Sequence, residues 1–577
     1  MQPGVAEEAE GAKTLRATYQ NPVYGHSFPD PFVLRHAGSF YAYATGSDEG
    51  GIFQILTSDD LVNWRDVGHA MPLPQTPAMH YWAPEVTYSD GKFYLYYSVG
   101  NEILMELRVA VADRPEGPFE DAGVKLTDQD FAIDAHVFTD RDGTRWMFYA
   151  TDFLEHTHVG TGTVVDRMID WSKLEGKPRP VTRAKYDWQI YDAARKEKGG
   201  VRWHTVEGPA VIERKGLYFE MFSGGNWQNT SYGVSFAVTD DLRSADEWEQ
   251  HADGDKLLPM IRTSPEVVGP GHNSIVRGPN GRELYCVYHR WTDAGRVMAI
   301  DRMDVVGRRI YVAGPTTTPQ PMPYQPQDVG QDLPSSCLIE FAAKTKGKVG
   351  LIGESGKEVY KLKTAPQREY RIEIDGRWCS VVADEWETLS SEYLSERPVR
   401  LDAEGDNDHA RMTPGFEDLF ERGDIAKSDW RIILGTACDE REKQLFLTAG
   451  DTTGGIGREQ FFDEIELVLN ARCDTIEAES AFGLALYDKD GEQVFSLFVS
   501  LEDVDLIGSD SKSFPLPDDW DLTELRAYRV MTRTGKLHLW LEQYFIGAIA
   551  IENGPYCPAV LCTNCTLALD MVRATAI

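Results

Sequence analysis

The feature that most constrains this chain is a short aromatic strand that returns five times in its first half. FYAYAT (40–45), FYLYYS (93–98), WMFYAT (146–151), LYFEMFS (217–223) and LYCVYH (284–289) begin 53, 53, 71 and 67 residues apart. Each follows a turn signal, such as Asp90-Gly91-Lys92, Asp142-Gly143 or Asn280-Gly281, of the kind that joins β-hairpins. A second marker keeps step: Asp59 then Trp64, Asp113 then Phe119, Asp166 then Trp171, Asp240 then Trp248, the aspartates 54, 53 and 74 apart. Two markers sharing one period point to a single supersecondary unit used five times. A unit of this size, with about four strands, is a propeller blade, and a radial array leaves no long sheet edge exposed. The competing reading, a β-sandwich with chance periodicity, does not explain why the markers stay in phase.

The strand ahead of each aromatic strand opens on a polar residue. FPDPFVL (28–34), APEVTY (83–88), IDAHVFT (133–139), VEGPAVI (206–212) and GHNSIV (271–276) place Asp30, Glu85, Asp134, Glu207 and His272 near one point of the unit. The innermost strand of a blade lines the central channel, so five sequence-distant groups, four of them carboxylates, converge at one mouth. Neighbouring Pro29, Pro31, Pro84, Gly208, Pro209 and Gly271 restrict or turn the backbone there. Like charges and burial raise carboxyl pKa values. That separates the members of a cluster, so that one serves as an acid while another stays a base, the pair that glycoside hydrolysis needs. Turn capping or a structural cation accounts for one such residue more readily than for all of them in phase.

FPDPFVL, HYWAPEVTY, IDAHVFTDRDG, VEGPAVIERKGLYFEMFSGG and GPGHNSIV, in that order, resemble the blade motifs of glycoside hydrolase family 43 over roughly residues 18–320. The resemblance implies a five-bladed propeller and an inverting α-L-arabinofuranosidase, β-xylosidase or arabinanase. By position, Asp30 matches the general base and Glu207 the general acid. Asp134 matches the carboxylate that orients the acid and adjusts its pKa, which we expect to occur by like-charge repulsion. His272 matches a channel histidine that holds a water or a calcium ion, and Arg290 an arginine that reaches the sugar. Glu85 is expected to support the site or touch substrate. No other cofactor is implied. Trp82, adjoining the second motif, is the foremost candidate for stacking on a sugar ring, with Phe28, Phe153, Trp203 and Trp227 near other motifs. The expected activity is exo-cleavage of terminal pentose from arabinoxylan or arabinan oligosaccharides of plant cell walls, with arabinofuranoside ahead of xyloside. An endo-arabinanase and a catalytically silent carbohydrate-binding propeller are the rivals. Retention of Asp30, Asp134 and Glu207 together argues against the second.

Residues 315–334 hold six prolines, which suits an extended linker. Beyond them, hairpin patterns at 481–500 and 527–551 read as a β-sandwich. FEDLFERGDIAKSDW (416–430) resembles the opening of the concanavalin-like sandwich that follows many family 43 propellers. The expected plan is all-β: a tail at 1–17, a propeller at 18–314, a Pro-rich linker at 315–336 and a jelly-roll sandwich at 337–577, with a small β unit at 337–411. With 58 basic and 92 acidic residues the net charge is −34, which repels phosphate backbones and anionic membranes but not a neutral sugar polymer. No apolar stretch approaches the roughly 20 residues that span a bilayer. The N-terminal MQPGVAEEAEGAK lacks the basic and apolar regions of a signal peptide, so the expected location is cytoplasmic, or extracellular if a leader was removed. Cys562-x-x-Cys565 has no second pair or nearby histidines to complete a zinc site, and is expected to be buried thiols.

Overall fold

The computed structural model describes residues 18–325 and 415–577 apart from 37–38, 90, 141, 252–258, 421–422, 428–429, 434, 478 and 518–519; between 326 and 414 it describes only the backbone of the strands. The expected tail at 1–17 and the side chains of the expected small β unit lie outside the described residues. Helix among the described residues is limited to three single 3₁₀ turns.

The first half is built of antiparallel sheets that succeed one another along the chain. Blade 1 runs Phe32–His36, Ser39–Tyr43, Gly51–Ser58 and Arg65–Met71; blade 2 runs His80–Ser89, Lys92–Gly100, Met105–Ala112 and Glu120–Lys125. Blade 3 begins with Ala132–Thr139, Arg145–Phe153 and Gly160–Asp170, and blade 4 with Val206–Arg214, Leu217–Gly224 and Gly233–Thr239. Blade 5 has Val268–Arg277, Leu284–Thr292 and Gly295–Val306, and is completed by Tyr24–Ser27, which precedes blade 1 in sequence. A strand from the start of the domain thus closes the last sheet. Each innermost strand packs beside the next, and the fifth returns to the first, giving a five-bladed propeller.

Both sequence markers have a packing reason. The aromatic strand is the second strand of every blade. The later aromatic sits beyond the third strand and packs back on the preceding blade: Phe119 against Tyr43, Trp171 stacked 4.9 Å from Tyr94, and Trp248 edge-on to Phe148. Such ring pairs add to the burial that holds blades together.

A second link is polar. At the opening of each inner strand a head residue lies in left-handed backbone: Asp30 (φ 51°), Ala83 (43°), Asp134 (60°), Gly208 (61°) and His272 (49°), the last with Gly269 (54°) ahead of it. In blades 2 to 5 the strand register shifts there as a bulge, which re-aims side chains. The N–H of Ala83, Asp134 and His272 donates to Thr45 Oγ1 (2.7 Å), Ser98 Oγ (3.0 Å) and Ser223 Oγ (2.7 Å), on the preceding blade in each case. Asp30 N–H donates instead to His289 Nδ1 at 3.2 Å, and Gly208 N–H to Asp134 Oδ2 at 3.0 Å. Thr45, Ser98, Ser223 and His289 are the last residues of the recurring aromatic motifs.

The proline-rich segment is a strap as far as it is described: Gln320–Pro321 pairs with Thr18–Tyr19, and Thr316 Oγ1 donates to Asp301 at 2.6 Å. The second half packs two antiparallel sheets over one apolar core, with Leu467, Leu469, Leu537 and Leu539 facing Leu484, Leu486, Leu497 and Val560. Both expected hairpins form, the second turning through Thr534 and Gly535 in left-handed backbone. Cys473, Cys562 and Cys565 are buried thiols in this core. The outer face of one sheet docks on the propeller through buried ions: Arg302 makes a bidentate pair with Glu466 (2.6 Å to each oxygen), Arg214 pairs with Glu417 (2.7 Å) and Arg573 with Asp304 (3.1 Å). Removing one partner of a buried pair strands the other. Glu466→Ala takes away the nearest carboxylate of both Arg302 and Arg529, leaving Arg302 with Glu283 at 3.3 Å, and is therefore expected to cost about 3–5 kcal/mol in urea unfolding. A wild-type transition in this variant would show that this pair does not hold the domains together.

Candidate active site

Asp, His and Gly are the residue types that enter left-handed backbone most readily, and they occupy that position in blades 1, 3, 4 and 5 as Asp30, Asp134, Gly208 and His272. The sequence phasing needs a correction here. The equivalent position in blade 2 is Ala83, so Glu85 stands two residues beyond it, while Glu207 stands one residue before Gly208. Glu85 Oε2 is 2.8 Å from His136 Nδ1, and His136 Nε2 accepts the Val211 N–H at 3.0 Å. Glu85 thus braces blades 2, 3 and 4 through its Oε2.

Asp30, Asp134, Glu207 and His272 do come together. Asp30 is buried, and burial alone would raise its pKa. Arg296, whose Nη1 donates to Oδ1 at 2.7 Å, overcomes this together with His272 and His289 and holds the carboxyl well below the ordinary value. Among the described residues no guanidinium bonds Glu207, and Arg296 and Arg195 lower its pKa only from a distance. Burial pushes its pKa up to about 7, opposed by a 2.7 Å hydrogen bond from the Tyr232 hydroxyl and assisted by the negative charge of Asp30. Asp134 is also raised well above its ordinary value, by burial first and then by Glu207 and Asp30. Burial, more than the charge of Asp134, is the leading cause of the raised pKa at Glu207. Asp134 acts on the geometry, because its Oδ2 accepts the N–H of Gly208, the residue after Glu207.

Two residues of this cluster escaped the sequence reading. Tyr232 immediately precedes the third strand of blade 4, and a Cβ at Gly271 would lie 2.1 Å from its ring, so glycine there makes room for it. Arg296 opens the third strand of blade 5, and its guanidinium lies 4.5 Å from the centre of the Trp227 ring, which stacks on Trp291. Arg290 does not join them: it is buried and donates to Thr316 O at 2.8 Å. Phe28 is fully buried between blades 1 and 5 and offers no platform. Trp203 is fully buried too, under Arg195 and Lys198. Phe153 packs under Arg183. Trp82 is partly exposed and packs against the cluster of Met105, Phe131, Ile133 and Ala150, and Trp227 is partly exposed beside Arg296.

The side chains around His272 do not form a calcium cage. Its Nδ1 is 3.6 Å from Asp30 Oδ1, which Arg296 already engages, and calcium takes six to eight oxygen ligands. Among the described residues no three His, Cys, Asp or Glu side chains are grouped to hold a metal.

A channel mouth holding one strongly acidic carboxylate and one carboxyl protonated up to neutrality is the equipment of a glycosidase. The sequence profile of glycosyl hydrolases family 43 matches residues 19–325, and the chain belongs to that family. It is 29% identical over 310 residues to the β-D-galactofuranosidase xynD of Aspergillus niger, covering 49% of this chain and 81% of that protein. It is 27% identical over 311 residues to an extracellular exo-α-(1→5)-L-arabinofuranosidase of Streptomyces chartreusis, covering 50% of this chain and 85% of the relative. A crystal structure of a thermostable family-43 glycoside hydrolase is 32% identical, covers 53% of this chain and 100% of its own, and superposes with a TM-score of 0.47.

The Tyr232 hydroxyl stabilises the Glu207 carboxylate. Removing it makes ionisation harder, so in Tyr232→Phe the protonated form persists to higher pH. The alkaline limb of kcat/KM on an aryl glycoside, expected near pH 7 in the wild type, should move upward. A downward movement would show that the hydroxyl does not act on the acid.

Proposed function

We propose that this glycosidase is an inverting, exo-acting pentosidase, with terminal α-L-arabinofuranose as its first substrate and β-xylose as its second. The observation that carries the reading is the opposite tuning of two carboxyls in one cluster, Asp30 well below its ordinary pKa and Glu207 raised to about 7. Between those values Asp30 is a carboxylate and Glu207 a carboxylic acid, the states that general base and general acid catalysis require. In the proposed reaction Glu207 gives its proton to the glycosidic oxygen as the bond from the anomeric carbon breaks. A water attacks that carbon from the opposite face and loses its proton to Asp30, so the configuration inverts. Asp134 keeps Glu207 aligned through the Gly208 amide. Arg296 and Trp227 stand beside Asp30, and Trp82 is the second aromatic proposed to meet the sugar.

The sugar assignment is supported by the family. The relatives named above act on arabinofuranose and galactofuranose, and a Vibrio relative, 28% identical over 290 residues, is a xylan 1,3-β-xylosidase. A panel of aryl arabinofuranoside, galactofuranoside, xyloside and arabinopyranoside tests it, with the arabinofuranoside expected to give the highest kcat/KM. Preference for galactofuranoside would replace the pentose reading with a hexofuranoside one.

Glu207→Gln should lose about 10²–10⁴-fold on poor leaving groups and much less on acidic phenols, which need no proton. Equal losses on both would remove Glu207 from the donor role. Proton NMR of the first-formed sugar should show the inverted anomer, and a retained anomer would mean a covalent intermediate.

A further inference from the structure

The polar ties between blades differ in kind at one place. At Ala83, Asp134 and His272 the acceptor is a hydroxyl. At Asp30 it is the imidazole of His289, fully buried, with Nδ1 3.2 Å from the Asp30 N–H. The same nitrogen lies 3.2 Å from Asp30 Oδ1, so His289 meets both the amide and the carboxylate of Asp30. A serine could accept that hydrogen bond, as Ser98 and Ser223 do.

What a hydroxyl could not supply is the flat ring. His289 stacks 5.7 Å from Tyr232 at 9° between planes and 6.5 Å from His272 at 24°. Tyr232 donates to Glu207, while His289 itself holds the backbone of Asp30. The stack therefore joins the carboxyl that binds a proton to the one that removes it. Its surroundings leave little slack: no Cβ fits at Gly271, the strand partner of His289, and one at Gly208 would lie 3.3 Å from the His272 ring.

We propose that His289 is a positioning residue, a rigid spacer that sets the separation of the Asp30 and Glu207 carboxyls and so the room for the attacking water. This rests on the assignment of Asp30 as base. His289→Ser keeps an acceptor for the Asp30 amide but removes the spacer, and a misplacement of about 1 Å costs roughly 10²-fold in rate. We therefore expect kcat to fall about 10²-fold with KM changed far less, a split that marks loss of an interaction used in the transition state. The loss should be equal on acidic and poor leaving groups, since proton donation is not what fails. Azide, a nucleophile that needs no base, should restore part of the turnover. His289→Asn, with an acceptor and a flat amide, should lose less than the serine variant, and it decides the matter if the serine variant does not fold. Wild-type kcat in either folded variant would overturn the proposal, as would a loss confined to poor leaving groups or one that azide does not relieve. Asp30→Ala run alongside separates the two readings. If it keeps its turnover, the base assignment falls and the proposal with it; if it is inactive while His289→Ser is normal, only the proposal falls.

Discussion

The site depends on a backbone amide held in left-handed conformation at the mouth of each inner strand. Such a conformation costs on the order of 1–3 kcal/mol for a residue with a side chain, and four of the five positions carry one. A hydrogen bond from each of those four amides to the preceding blade offsets part of the cost, a typical buried bond being worth about 1 kcal/mol. The exchange yields a bulge that turns the head residue toward the channel while its strand continues into the blade. Because every bond crosses to the preceding blade, the ring that carries the catalytic groups is also the ring that keeps the blades in register. At Gly208 the acceptor is the carboxylate of Asp134 itself, so there the structural bond and the functional group are the same.

Convergence alone would leave three carboxyls in one poorly solvated place, each raising the pKa of the others. They are sorted chiefly by Arg296, with His272 and His289 beside it. Arg296 reaches Asp30 and gives it the ionised state, and that charge then helps to keep Glu207 protonated. The negative charge of the whole chain, −34, has little part in this. What matters is which carboxyl the Arg296 guanidinium touches, since a contact in a buried site outweighs many distant solvated charges.

Much of this was legible in the sequence, and the pattern of what was not has physical causes. The five blades were readable because a repeated packing demand, aromatic on aromatic across each blade boundary, leaves a period in the chain. Asp30 and His272 were readable because Pro29, Pro31 and Gly271 flank them, and Asp134 because it keeps their phase in the repeat. The relative phase of Glu85 and Glu207 was not, since a bulge moves the head by one or two residues without altering the composition around it. Thr45, Ser98, Ser223 and His289 stood at the ends of the aromatic motifs with no sign that they accept hydrogen bonds, because an acceptor is defined by a partner far away in sequence. Arg296 and Tyr232 stand at the start of third strands, where no repeated motif marks them, and Arg290, six residues before Arg296, carried the same charge on a strand whose side chain turns away from the channel. Phe28 read as a loop aromatic and is core, because the strand before blade 1 is drawn into blade 5 and takes its neighbour with it.

Arg296 also joins chemistry to substrate recognition. One face of its guanidinium is covered by Trp227, on a loop of blade 4, and Trp227 is held by Trp291 of blade 5, whose indole N–H donates to Trp227 O at 2.7 Å. Excluding water from that face strengthens the pull of Arg296 on Asp30, since the interaction then passes through a less polarisable medium. In the proposed function Trp227 meets the sugar, and the same ring is thereby part of what keeps Asp30 ionised. A change of loop that exchanges Trp227 to admit a different sugar would alter the water around Arg296 at the same time. The sugar preference of this propeller and the protonation of its base are for that reason not independently adjustable.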